Sequence, residues 1–170
     1  MRLTSFSDYA LRILIYAAAH PDSRVTIEAA SDYFGISRAH LKKVVLKLSH
    51  EGFLISTRGR FGGFALARPP EEINLGAVVR VTEPDFGLFE CFVTGNQCRI
   101  SRSCALPSIA NEALCAFLAV FDRHQLSDVK LKADLLETQT IPMVQPIRGP
   151  FLSKKTSSSE KRHRLDNRPA

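Results

Sequence analysis

Three cysteines stand within fourteen residues, as Cys91, six residues, Cys98, five residues and Cys104. Thiolates are soft donors, suited to iron–sulfur clusters or to zinc. Structural zinc sites usually take four protein ligands, often from C-x2-C pairs. No such pair is present, and no histidine lies between residues 51 and 123. Longer spacers can wrap a larger inorganic core, so the spacing favours iron–sulfur, with zinc and unliganded reactive thiols as the alternatives. A fourth cysteine, Cys115, lies among Leu114, Phe117, Leu118 and Phe121. A small thiol in such surroundings is expected to pack in a core rather than to ligate. The three-thiol set is then short of one donor.

A second group of residues has the chemistry of nucleic-acid contact. The chain carries a net charge of +6, and its distribution says more than its sum. Residues 35–68 hold Arg38, Lys42, Lys43, Lys47, Arg58, Arg60 and Arg68 against only Glu51, whereas residues 69–147 are net acidic. A local basic patch is the footprint of phosphate contact. Ser37, Arg38, Ala39, His40, Lys42 and Lys43 open a helical segment and would meet base edges or phosphates in a major groove. Arg58, Gly59 and Arg60 stand at the tip of a turn, where paired arginines suit a narrow minor groove.

Positioning these groups requires a mainly α fold with a small β-hairpin wing. Phe6, Tyr9, Ala10, Ile13, Leu14 and Ala17 recur at helical spacing, with Ser5 expected to cap the helix, Asp8 as the capping-box acid and Pro21 beyond its end. Thr26 caps a short helix stopped by Gly35, and Ser37 caps another running to about His50. Two helices joined by so short a turn read as a helix-turn-helix. Phe53–Ser56 and Phe64–Leu66 are strand-like, and the glycines between them permit a tight turn. Asn74 caps a further helix. Residues 84–106 form a loop too long for a mere connector. Pro107 opens a long helix to about His124, and Ser127 is expected to cap a last short one.

The expected organisation is a winged helix-turn-helix DNA-binding domain over 1–70, a cluster-binding loop and dimerisation helix over 71–137, and a disordered basic tail over 138–170. The long helix carries two apolar strips, Ala110–Leu114–Phe117–Phe121 and Ala113–Ala116–Val120. That is more than one small core needs, and it implies a homodimer. Neither a span of about 20 apolar residues nor an apolar leader is visible, so the chain is expected in the cytoplasm, where four cysteines do not make a disulfide framework. None of the nucleotide, hydrolase or metalloprotease motifs is present, which argues against an enzyme. A zinc-binding or cofactor-free DNA-binding protein is the competing class.

With these residues assembled, the sequence resembles the Rrf2 family of bacterial winged-helix regulators over residues 1 to about 135. The likeness is carried by the opening Met1-Arg2-Leu3-Thr4-Ser5-Phe6-Ser7-Asp8-Tyr9-Ala10-Leu11-Arg12, by Gly35-Ile36-Ser37-Arg38-Ala39-His40-Leu41, by Arg58-Gly59-Arg60-Phe61-Gly62-Gly63-Phe64 and by the three cysteines. Within the family it looks most like the nitric-oxide-sensing repressors; other members sense iron or iron–sulfur supply instead.

The resemblance implies an iron–sulfur cluster, 4Fe-4S in preference to 2Fe-2S, on Cys91, Cys98 and Cys104. It also implies an aspartate ligand from the first helix of the partner subunit, a place that Asp8 occupies here. Asp8 can equally cap its own helix or pair with Arg12. Members that ligate through a histidine after the third cysteine differ, because this chain has Ala105, Leu106 and Pro107 there. The first spacer is slightly longer than the family's commoner one. The implied action is repression at an inverted-repeat operator in double-stranded DNA, relieved when nitric oxide nitrosylates the cluster.

Overall fold

In the computed structural model, residues 2–59, 62–92, 95, 97–100, 103–129 and 131 are described. The basic tail expected over 138–170 lies outside them, as does Arg60. Helix α1 (Ser5–Ala18) buries Ala10, Ile13, Leu14 and Ala17, with Phe6 and Tyr9 packed at the margin of the core. Its cap corrects the sequence expectation by one residue. Thr4, not Ser5, holds the extended cap conformation, and its hydroxyl accepts the Ser7 N–H at 3.4 Å. The shift moves Asp8 out of the capping-box position. Its carboxylate instead meets Arg12 one turn on, at 2.9 and 3.0 Å.

Helix α2 (Ile27–Phe34) starts on Thr26, whose Oγ1 accepts the Ala29 N–H at 3.0 Å, and stops at Gly35 with φ 64°. That left-handed conformation suits glycine. The Ser31 hydroxyl donates to the Ile36 carbonyl at 2.6 Å and clamps the turn into α3 (Arg38–His50). Leu41, Val44, Val45 and Leu48 of α3 are buried, as the periodicity requires. Strands β1 (Leu54–Thr57) and β2 (Gly63–Leu66) pair antiparallel, Leu54 opposite Leu66 and Thr57 opposite Gly63. Phe64 is fully buried, and its main chain exchanges two hydrogen bonds with Val25, at 2.9 and 2.8 Å. The wing is thereby fastened to the chain just ahead of α2. Helix α1 packs on α3, on β2 and on α4 (Leu75–Thr82), so it is the central element of the unit.

One asparagine serves two helices. The Asn74 Oδ1 accepts the Ala77 N–H at 3.0 Å and caps α4. Its Nδ2 donates to the Asp122 and His124 carbonyls, at 2.7 and 3.3 Å, at the end of α5 (Leu106–Asp122). Main-chain bonds from Leu75 N to His124 O at 3.0 Å and from Leu126 N to Ile73 O at 2.8 Å complete the clasp. Arg80 adds a two-bond pair with Asp122, and Gly76 leaves room for it, since a Cβ there would collide with the Asp122 carboxylate. Asn74→Ala removes a cap worth about 1 kcal/mol and carbonyl hydrogen bonds worth about 1 kcal/mol more. Asn74→Ser is expected to restore only the cap. Urea unfolding of the three proteins should therefore give an ordered series, with serine between asparagine and alanine.

The Arg80 guanidinium holds the Asp122 carboxyl below its ordinary value of 3.8. A carboxylate whose pKa is lower folded than unfolded stabilises the fold above its unfolded value. That stabilisation is lost as pH falls through the folded value. Asp122→Asn is expected to flatten the fall of stability with pH below about pH 4, read from unfolding midpoints across acid buffers.

Two further expectations are corrected. Ser127 lies inside the 3-10 turn Leu126–Val129 and caps nothing; Asp128 does so, accepting the Gln125 N–H at 3.0 Å. Cys115 is exposed rather than in a core. Helix α5 meets the rest of the protomer along a narrow strip in which only Ala110 is buried, so most of its apolar residues remain uncovered, Ile109 at 60% and Val120 at 46% exposure among them. Among the described residues, no helix is long and apolar enough to cross a membrane.

Candidate nucleic-acid interface and thiol segment

Helix α3 and the wing enclose an open groove of about 760 Å³. From α3 it is lined by Arg38, Lys42 and Leu46, which follow one another at intervals of four. Ser56, Thr57, Arg58 and Gly59 line it from β1 and the turn, and Glu28 from α2. The turn tip needs glycine at Gly59, where φ is 109°. Of the residues expected to touch DNA, the fold thus brings Arg38, Lys42, Arg58 and Gly59 to one groove. Ala39 and Lys43 are exposed on α3 but do not line it.

Ser37 and His40 belong to a different neighbourhood. The Ser37 hydroxyl accepts the His40 N–H at 3.4 Å and lies 3.0 Å from the His40 Nδ1, while the His40 ring stands 6.4 Å from that of Tyr9 on α1. Leu46 and Glu28 are among the lining residues that sequence reasoning missed. Leu46, 65% exposed, was within reach of the i, i+4 rule applied from Lys42. Glu28 was not, because its ion pair with Arg38 joins two helices.

The thiols lie together along the chain but in separate local settings. Cys91 is in the 3-10 turn Glu90–Phe92, and Cys91, Cys98 and Cys104 are all partly buried and outside any disulfide. The Glu90 carboxylate accepts the Gln97 N–H at 3.3 Å, drawing together the stretches that precede Cys91 and Cys98. The Cys104 sulfur accepts the Leu106 N–H at 3.4 Å at the start of α5. Among the described residues, no three His, Cys, Asp or Glu side chains converge on one point suited to a metal ion, and Asp8 stands on α1 with Arg12. The segment is, however, rooted on that helix. Glu83, just past α4, accepts both the N–H and the hydroxyl of Thr4, at 2.9 and 3.1 Å. Thr4 is the cap of α1, so the carboxylate at the root of the thiol segment holds the start of the helix that packs on α3.

Comparison with known proteins agrees with this architecture. Residues 3–131 match the Rrf2 family model, described as an iron-dependent transcriptional regulator. The chain is 45% identical over 140 residues to the HTH-type transcriptional regulator NsrR of Bacillus subtilis (strain 168), covering 81% of this chain and 96% of that one. With the protein of the same name from Oceanobacillus iheyensis it shares 40% identity over 147 residues, covering 85% of this chain and all of the other. Among solved structures it is similar to T. potens IscR, with a TM-score of 0.61 at 22% identity over 76% of this chain and 85% of that one. It is also similar to CymR, the global cysteine regulator of B. subtilis, with a TM-score of 0.57 at 24% identity over 79% of this chain and 98% of that one. These structural likenesses speak for the fold. The family match over nearly all the described residues and the identity to the curated relatives establish that the chain belongs to the Rrf2 family of helix-turn-helix transcriptional regulators.

Proposed function

We propose that the protein is a homodimeric repressor that carries an iron–sulfur cluster, reads an inverted-repeat operator and releases it in response to nitric oxide. In this reading it acts in the cytoplasm and catalyses nothing. The identity shared with regulators named NsrR and the resemblance to nitric-oxide-sensing repressors support the effector.

Cys91, Cys98 and Cys104 would hold the cluster, with Asp8 of the partner subunit as the fourth ligand. The donor set fits. Cys91, Cys98 and Cys104 are three partly buried thiols, no histidine competes between residues 51 and 123, and Cys104 already receives a helix N–H. When bound, the group supplies iron that reacts with nitric oxide, most readily where a hard carboxylate replaces a soft thiolate. Recruiting Asp8 means giving up its pair with Arg12. That pair is about half exposed on both sides, and such pairs contribute only about 0–1 kcal/mol, so the exchange is inexpensive. The uncovered apolar residues of α5 supply the dimer surface.

The observation that carries this reading is the pair of hydrogen bonds that Thr4 donates to Glu83. It ties the root of the thiol segment to the cap of α1, so a change in the segment reaches the helix against which α3 packs. The test is anaerobic. The purified protein is expected to be brown and to bind an inverted-repeat duplex, and nitric oxide titration should bleach the spectrum and release the DNA together. A colourless protein that still binds DNA would leave the fold standing and overturn the cofactor. A second reading is favoured by the family's description as iron-dependent: a coloured protein indifferent to nitric oxide, whose DNA binding changes when a chelator strips its iron, would be an iron-status regulator.

A further inference from the structure

The groove between α3 and the wing holds one acid among its bases. Glu28, at the second position of α2, is ion-paired to the Nη1 of Arg38, the first residue of α3. Lys42 and Arg58 line the same groove. Both members of the pair are more than half exposed, at 55% for Arg38 and 62% for Glu28, so it contributes little to the stability of the fold. A carboxylate facing a phosphate backbone also weakens sequence-independent attraction. Neither stability nor general affinity accounts for it.

Arginine's chemistry does. A guanidinium is a planar fork of five N–H donors, and its commonest specific partner in the major groove is guanine, which takes two in-plane donors at O6 and N7. A long exposed arginine has many rotamers, and most of them reach a phosphate as easily as a base. Glu28 engages the fork at one terminal nitrogen, Nη1, and Arg38 stands in the opening turn of α3, the part of a recognition helix that meets base edges. Lys42, one turn further on, is a point charge without this planar geometry. We infer that Glu28 positions Arg38 to read a guanine in each operator half-site. This specificity role rests on the DNA-binding reading above.

The test is selection from a randomised double-stranded DNA library by the full-length, anaerobically purified protein and by its Arg38→Ala and Glu28→Gln variants. Binding to the winning duplex and to its single-pair substitutions follows. Arg38→Ala is expected to lower discrimination at one G·C pair per half-site by roughly 5- to 100-fold. Glu28→Gln should lower it several-fold at that same pair, while affinity for unrelated duplex stays equal or rises. The inference is overturned if Glu28→Gln leaves the preference profile unchanged, or if the two variants act at different pairs. It is equally overturned if both weaken binding evenly across all sequences, as a merely structural pair would. If the native protein enriches no sequence, the DNA-binding reading falls with it; if it does and only the Glu28 result fails, that reading stands.

Discussion

Replacing Cys98 by alanine is expected to remove the brown colour and to lower operator affinity toward the sequence-independent level, a loss of about a thousandfold or more. Measured against the native sequence stripped of its cluster, stability should barely move. Cys98 is partly buried but outside the hydrophobic core, and changes away from core packing usually stay within about 0.5 kcal/mol. Cys91→Ala and Cys104→Ala should match it. Cys115→Ala is the internal control. Its thiol is exposed on α5, and both colour and affinity should survive its removal. If they do not, the three-cysteine assignment is wrong and Cys115 is a ligand. Asp8→Ala should fall between, with three thiols still able to retain some cluster but with a weaker response to nitric oxide. Visible spectra and operator titrations on the five proteins decide among these outcomes.

The largest effect on stability is expected at Phe64. Its ring is fully buried where β2 meets α1 and the chain preceding α2. Truncating such a phenylalanine to alanine costs about 3–5 kcal/mol through lost burial and the cavity left behind. A domain of this kind has only about 5–15 kcal/mol in all, so Phe64→Ala should lower the urea midpoint sharply, even though the main-chain bonds to Val25 remain available to alanine. Ile55→Ala is the contrast. It removes an apolar side chain from the paired strand, but at 57% exposure, and should change stability by no more than about 0.5 kcal/mol.

Most of the helical frame was legible because local rules govern it. Thr26, Ser37, Gly35 and Pro107 act through neighbours within four residues, as Asn74 does in capping α4, and each stands where capping chemistry puts it. The misplaced cap of α1 has the same origin. Thr4 and Ser5 are both competent, and only the backbone conformation of Thr4 separates them. Cys115 was misread for a different reason. A helix apolar on more than one face reads as buried, but α5 covers little of itself within one protomer. The thiol segment was visible in its spacing, whereas its anchorage was not, because Glu83 and Thr4 are 79 positions apart. Glu28 was hidden likewise, since its meaning arises only when the turn at Gly35 folds it against Arg38.

The clasp at Asn74 and Leu126 has a consequence for how much the thiol segment can vary. Residues 83–105 leave the end of α4 and return at the start of α5, and these two helices are already held together beyond the segment. It is therefore a closed excursion whose ends the helical frame keeps in place. The entropy of closing a flexible loop grows only with the logarithm of its length, about 0.6 kcal/mol for each doubling. One residue more or less between Cys91 and Cys98 is thus negligible to the frame, while for the thiols it changes how far apart their sulfurs can spread. Spacer length can therefore change without loosening the helical frame that holds the two ends of the segment.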